Sequence, residues 1–326
     1  MYSPRRSEPT IEEAFREALH DSPLEDADPS STRTVFRPRR ARDRGDAMTA
    51  ADTDRDIVAL RPLERKLTTF LDAVIVAGAA AVILAWVLGR PLFYTPTAPV
   101  MSPFTAFSLL LLSFVRIGRL YDRDWPITLN FAVTGLVLGG NVASMLLIAL
   151  MPKEAWVSFS SIVLTSAMTS FGLVLFCLYD LVLVMRETPR SALILDDMLL
   201  HLALVPGGLS LLGYLLANPT YLSVHVDPRV GISPLEMAFM ALYAVAAVVS
   251  NPRLFLWGFL AQSRTNRLVF AGLFANQFVV PLVVALAFSP AGRKGPGLEL
   301  FVMLAGVVTT LAFLALQART QRKAAG

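Results

Sequence analysis

From residue 67 onward the chain passes through eight apolar stretches, at 67–89, 103–120, 127–150, 157–185, 192–217, 235–260, 267–288 and 298–317. This succession constrains the fold more than any other feature. A helix needs about 20 apolar residues to cross the hydrocarbon of a bilayer. Inside lipid every backbone amide and carbonyl must find its partner within the chain, which leaves helices and closed barrels as the spanning structures. Stretches of this length predict helices, so the expectation is an all-α polytopic membrane protein with eight transmembrane helices. The charge content agrees: 17% of residues are charged, against roughly 25% in an ordinary soluble domain. The second stretch contains Arg116, whose long stem predicts snorkelling from the end of the span to the headgroups.

The basic residues between the stretches test the count independently. With the N-terminus in the cytoplasm, the inner segments hold Arg61, Arg65, Lys66, Arg116, Arg119, Arg123, Arg186, Arg190, Arg253, Arg264, Arg267, Arg319, Arg322 and Lys323. The outer loops hold Arg90, Lys153, Arg229, Arg293 and Lys294. An excess of Lys and Arg on the cytoplasmic side is the rule for multi-pass proteins, and an odd number of helices would scramble it. Both termini are therefore expected in the cytoplasm. The net charge of +4 belongs to the inner loops and gives no reason to expect nucleic acid as a partner.

Two loops read alike: LGRPLFYTPTAPVMSPFTAF, residues 88–107, and ANPTYLSVHVDPRVGISPLEMAF, residues 217–239. Trp86, Gly89, Pro91, Tyr94 and Met101-Ser102-Pro103 in the first match Tyr214, Ala217, Pro219, Tyr221 and Ile232-Ser233-Pro234 in the second. Gly135 and Asn141 in the third stretch match Gly272, Asn276 and Gln277 in the seventh. The prediction is two four-helix halves, 67–188 and 191–318, followed by a tail at 319–326. An even number of spans per half makes the repeats parallel, unlike the inverted repeats of many transporters. Ser-Pro suits a helix start, because Ser caps it and Pro lacks an amide where none is needed.

The run from Gly89 to Leu112, G-x-P-L-x-Y followed by M-S-P-x-T-A-x-x-L-L-L-L, resembles the membrane-embedded N-terminal input regions of bacterial sensor histidine kinases and diguanylate cyclases. The resemblance covers this hairpin and implies a bacterial inner-membrane location with a sensory or regulatory role. No phospho-accepting or ATP-binding domain follows the last stretch, so the expected output is supplied by a cytoplasmic partner.

Residues 1–60 are rich in Pro, Ser, Asp and Arg. Such a composition cannot bury enough apolar surface to fold, so a disordered tail is expected. Within it Thr10 and Glu13 form a capping-box pattern, and Ile11, Phe15 and Leu19 make one apolar stripe. Residues 7–22 read either as a transient helix or as a docking helix for that cytoplasmic partner. A homo-oligomer is compatible with the same features.

The single cysteine, Cys177, excludes an intrachain disulfide and a multi-thiolate metal site. The three histidines, His20, His201 and His225, lie in different segments, so neither a metal nor a cofactor is expected. Ionisable groups inside a membrane are costly and mark function by default. Asp180 lies in the fourth stretch, Asp197 and His201 in the fifth. Asp197 and His201 are four residues apart and share a helix face. The short connection between the two stretches makes them antiparallel neighbours, so the three side chains could converge. They read either as the proton relay or polar ligand site of a small-molecule transporter, or as a structural cluster paired with Arg186 or Arg190. Asp72 is expected near the headgroups, paired with Lys66 or with a helix N-terminus.

Asn130, Asn141, Asn276 and Gln277 read as interhelical hydrogen-bonding groups, at an interface shared by the two halves. Ser161, Thr165 and Thr169 recur every four residues as a small-residue stripe. Tyr94, Tyr221 and His225 are ligand candidates on the outer loops. Pro206 predicts a kink in the fifth span. No phosphate-binding glycine loop or nucleophile elbow is present, so an enzyme is the least favoured class.

Overall fold

A computed structural model describes residues 62–93, 99–121, 126–150, 165–185, 194–218, 221, 231–252, 254–288 and 297–325. The N-terminal tail with its 7–22 segment, Tyr94 and His225 lie outside the described residues. Every regular element among the described residues is helical. The order is α1 Pro62–Val87, α2 Pro103–Tyr121, α3 Ile127–Leu150, α4 Ala167–Met185 and α5 Ile194–Leu215. Then come α6 Pro234–Ser250, α7 Phe255–Gln262, α8 Arg264–Phe274, a π-helical segment Ala275–Val279, α9 Val280–Phe288 and α10 Leu298–Ala325. Seven helical runs are long and apolar enough to cross a membrane, with α8 to α9 counting as one, and the bent pair α6–α7 brings the number to as many as eight.

The side chains agree with a lipid surround. Leu136 is 65% exposed, Leu286 72% and Phe301 65%. In water such apolar patches would drive association; in a bilayer they meet acyl chains. The main core lies where α1, α2, α4 and α6 pack together, around Ile75, Leu109, Leu112, Leu173, Phe176, Met240 and Tyr243. A smaller cluster joins Ile194, Phe255 and Phe259 to Phe313.

The two similar loops are built alike. After α1, Gly89 takes φ 67°; after α5, Ala217 takes φ 49°. This left-handed turn closes both helices: Arg90 N donates to Ala85 O at 2.8 Å, and Asn218 N to Gly213 O at 2.9 Å, the Schellman pattern. Trp86 Nε1 donates to Met101 O at 2.9 Å, and the matched Tyr214 hydroxyl donates to Ile232 O at 2.8 Å. An aromatic tip thus holds the carbonyl just before each Ser-Pro. Met101, Ser233 and Pro234 line one cleft of about 430 Å³, so the two Ser-Pro starts lie side by side.

Two helices depart from the simple pattern. The stretch 235–260 is not one straight span: α6 and α7 meet at 70°. The cause is legible in Asn251-Pro252. The residue before a proline avoids the helical region, and proline supplies no amide. Trp257 Nε1 donates back to Val248 O at 3.0 Å across the bend. In contrast, α5 continues as helix through Pro206.

Candidate functional site

Three helix starts meet at Glu236. In the first turn of α6, Ser233 Oγ accepts from Glu236 N at 3.1 Å while Ser233 N donates to Glu236 Oε2 at 2.9 Å, a capping box. Glu236 Oε1 also accepts from Ser102 N, at the start of α2, at 3.3 Å. At the start of α4, Thr169 N donates to Ser166 Oγ at 3.0 Å, and Thr105 N donates to Ser102 Oγ at the same distance in α2. Thr165 Oγ1 meets Ser102 Oγ at 3.3 Å. Thr165 and Ser166 therefore precede α4 and tie its start to α2; of the small-residue stripe expected there, Ser161 lies outside the described residues. Three positive helix ends around one buried carboxylate is a favourable arrangement of dipoles.

Deeper in the same bundle lies a chain of buried charges. Arg116 Nη2 donates to Asp72 Oδ1 at 2.6 Å and Arg116 Nε to Asp72 Oδ2 at 2.9 Å. The guanidinium carbon stands 3.8 Å from the centre of the Tyr243 ring, and Nη1 donates to Tyr243 O at 3.3 Å. The Tyr243 hydroxyl donates to Asp180 Oδ2, and Asp180 Oδ1 accepts from Arg119 Nη2 at 3.1 Å. Two carboxylates and two guanidiniums thus balance one another across α1, α2, α4 and α6.

Here two expectations are corrected. Arg116 does not snorkel, being 2% exposed, and Asp72 is fully buried with it rather than paired with Lys66. A bidentate arginine–carboxylate pair offsets the desolvation that an isolated charge would suffer. Asp180 is paired through Arg119; Arg186 and Arg190 lie outside the described residues.

The fifth helix feeds a different site. Asp197 caps the start of α7: Phe255 N donates to Asp197 Oδ2 at 3.0 Å and Leu256 N to Oδ1 at 3.1 Å. The amides exposed by the break in the sixth span are thereby satisfied. Asp197 and His201 line a cavity of about 260 Å³ together with Gln277, Thr310 and a set of phenylalanines; Asp180 is not in its wall. The structure therefore joins Asp197 to His201 and places Asp180 in the charge chain.

Gln277 sits in the π-helical segment. Pro281 follows four residues later and offers no amide to the Gln277 carbonyl, which favours the wider turn. The segment is held from outside by α10. A Cβ on Gly306 would lie 2.8 Å from Gln277 Cα and 3.1 Å from Asn276 O, so only glycine permits this approach. Gln277 is 1% exposed, and among the described residues neither its Nε2 nor His201 Nε2 has a hydrogen-bond partner.

Asn141 makes a different kind of contact: its Nδ2 donates to Ser108 Oγ on α2 at 3.3 Å and to Val137 O at 2.8 Å. The main partners of α3 are α2 and α4, whereas the segment with Asn276 and Gln277 packs on α10. The matched amides thus serve separate interfaces. Helices of 67–188 meet those of 191–318 chiefly through α4 with α5 and α1 with α6. Tyr221 is buried; its hydroxyl accepts from Gly297 N at 2.8 Å and donates to Glu299 Oε1, fastening the start of α10. Among the described residues, no three His, Cys, Asp or Glu side chains are grouped to hold a metal ion.

Glu236 could have been read from Ser-x-x-Glu at the start of an apolar run, and the Asp72–Arg116 pair from opposite charges in successive spans. The cavity has no comparable signature, since its wall is assembled from four separated helices. No family model, curated protein or solved structure matches this chain.

Proposed function

We propose that the protein is a regulatory module of the bacterial inner membrane that converts the state of an intramembrane site into a helix movement read by a cytoplasmic partner. The observation that carries this reading is the double duty of one span. The shaft of α6 holds Tyr243 in the charge chain, while its broken continuation α7 walls the cavity through Phe255, Leu256 and Phe259. Asn251, at the bend, donates to the Tyr179 hydroxyl at 3.3 Å, next to Asp180 in sequence. A change at Asp197 or in the cavity is thereby handed to the bundle of α1, α2 and α4. In this reading the chain has eight spans in two parallel halves with both termini in the cytoplasm, which the loop charges and the alike loops support. The hairpin likeness to sensor input regions points to the same class.

The transporter alternative needs Asp180, Asp197 and His201 as one relay. The engagement of Asp180 by Arg119 and Tyr243, and of Asp197 by two amides, speaks for regulation instead. Spin labels at Gly258 on α7 and Leu63 on α1 test it, because a side chain at Gly258 meets open space and Leu63 is exposed. Pulsed EPR on the protein in lipid nanodiscs is expected to show a shifted Gly258–Leu63 distance in Asp197→Asn. An unchanged distance overturns the proposal. Proton or solute flux in proteoliposomes that disappears in Asp197→Asn would replace it with the transporter.

A further inference from the structure

The cavity carries a more specific conclusion. We infer that it is a binding site for a small, neutral aromatic carbonyl compound, whose oxygen accepts a hydrogen bond from Gln277 Nε2 while phenylalanine rings enclose its planar body. This deepens the regulatory reading and rests on the same cavity.

Four observations point to that chemistry. First, size: about 260 Å³ exceeds the roughly 150 Å³ apolar cavity that accommodates a benzene ring. One or two fused rings with a short substituent fit. Second, the wall: Phe255, Phe259, Phe270, Phe274, Phe278 and Phe313 all face the cavity. Ring edges and faces favour a flat aromatic guest over a flexible chain.

Third, the unpaired donor. Gln277 is almost wholly buried, and its Nε2 has no partner. Native proteins leave few such groups, and each calls for an explanation. The π-helical segment that carries it is a rare feature, frequent at functional sites, and Gly306 clamps that segment in place. His201 Nε2, also without a partner, offers a second polar contact on the same wall.

Fourth, charge. Asp197 is the acidic group in the wall, and a carboxylate ringed by aromatics would ordinarily suggest an amine. Both of its oxygens, however, accept from the amides that start α7, so its charge already answers to a helix N-terminus. Of the groups left unanswered, the Gln277 amide nitrogen is a donor, which calls for an acceptor and not for a cation.

The test uses the full-length protein in lipid nanodiscs and three matched probes: naphthyl methyl ketone, isopropylnaphthalene and a naphthylethylammonium. Equilibrium binding is expected to favour the ketone over the hydrocarbon by roughly tenfold, the size of one buried hydrogen bond. Gln277→Leu is expected to erase that preference while keeping hydrocarbon binding. It should also melt at or above the wild-type temperature, which separates a lost contact from a lost fold. Leu204→Trp and Leu314→Trp, filling the cavity from α5 and α10, are each expected to abolish saturable binding of both probes.

Equal affinity for ketone and hydrocarbon in the wild type overturns the inference. So does tightest binding of the ammonium, which would make this an amine site, or binding that survives both tryptophans, which would be partition into lipid. The outcomes stay distinct from the fate of the regulatory reading. Ketone binding that leaves the Gly258–Leu63 distance unmoved sinks the regulation and spares the site. A missing ketone preference sinks the site and leaves the regulation standing.

Discussion

The charge chain around Arg116 and the cavity around Gln277 share one span, α6 with its broken extension α7, yet they are finished in opposite ways. In the first, each of the four charges has an oppositely charged or hydrogen-bonding partner within 3.3 Å. In the second, two nitrogens end on nothing. A saturated buried network holds its helices in one register, and it does so at the cost of desolvating every member. An unsaturated one weakens the fold, because an unpaired buried group keeps its desolvation penalty without return. The difference separates a closed network from an open one: the charges of α1, α2 and α4 and the tyrosine of α6 answer one another, and the polar nitrogens in the cavity wall do not.

That contrast can be broken deliberately, beginning where the effect is largest. Arg116→Met leaves Asp72 buried without its counter-charge and is expected to destabilise the protein by about 3–5 kcal/mol. Adding Asp72→Leu should recover most of that loss, as measured by reversible unfolding in mixed micelles; no recovery would mean that the pair is not the source of the cost. Tyr243→Phe removes one donor to Asp180 and keeps the ring under Arg116, with an expected loss of about 2 kcal/mol. A loss as large as that of Arg116→Met would show that the chain acts as a single unit.

Gly306→Ala drives a methyl group against the backbone of the π-helical segment and should cost about 1–3 kcal/mol. In the same variant, amide exchange at Asn276 and Gln277 is expected to accelerate. Ser233→Ala removes the cap of α6 and should cost about 1 kcal/mol, unless Glu236 draws its stability from Ser102 alone. Gln277→Leu reverses the sign. Replacing an unpaired buried amide by a hydrocarbon of similar size should stabilise the ligand-free protein by about 1 kcal/mol. A loss of stability there would mean that Gln277 already has a partner, and the comparison between the two regions would fail.

Much of the fold is legible in the residues. The spans follow from the apolar stretches, and the observed bounds of α1, α3 and α5 fall within a few residues of the stretches at 67–89, 127–150 and 192–217. The break in the sixth span was written in Asn251-Pro252 but hidden by the unbroken hydropathy on either side. The likeness of the two loops was also legible, down to Trp86 and Tyr214 standing at matched positions. The charge chain was less so. Arg116 lies near the end of its stretch, where snorkelling and pairing look the same in one dimension. Only the approach of α1 and α6 brings Asp72 and Tyr243 to it.

The sequence by itself determined that this chain lives in lipid as a set of helices, and where α2, α3, α6 and α10 begin. Both are local matters, decided by the cost of leaving a backbone group unpaired in hydrocarbon and by which residues can cap a first turn. Tertiary structure decided which polar side chains are answered and which are not. Asp180, Asp197 and Gln277 look alike along the chain, each a polar residue in an apolar run. Their fates differ because pairing depends on what a neighbouring helix presents at the same depth: an arginine for Asp180, the start of a broken helix for Asp197, and an aromatic-walled cavity for Gln277.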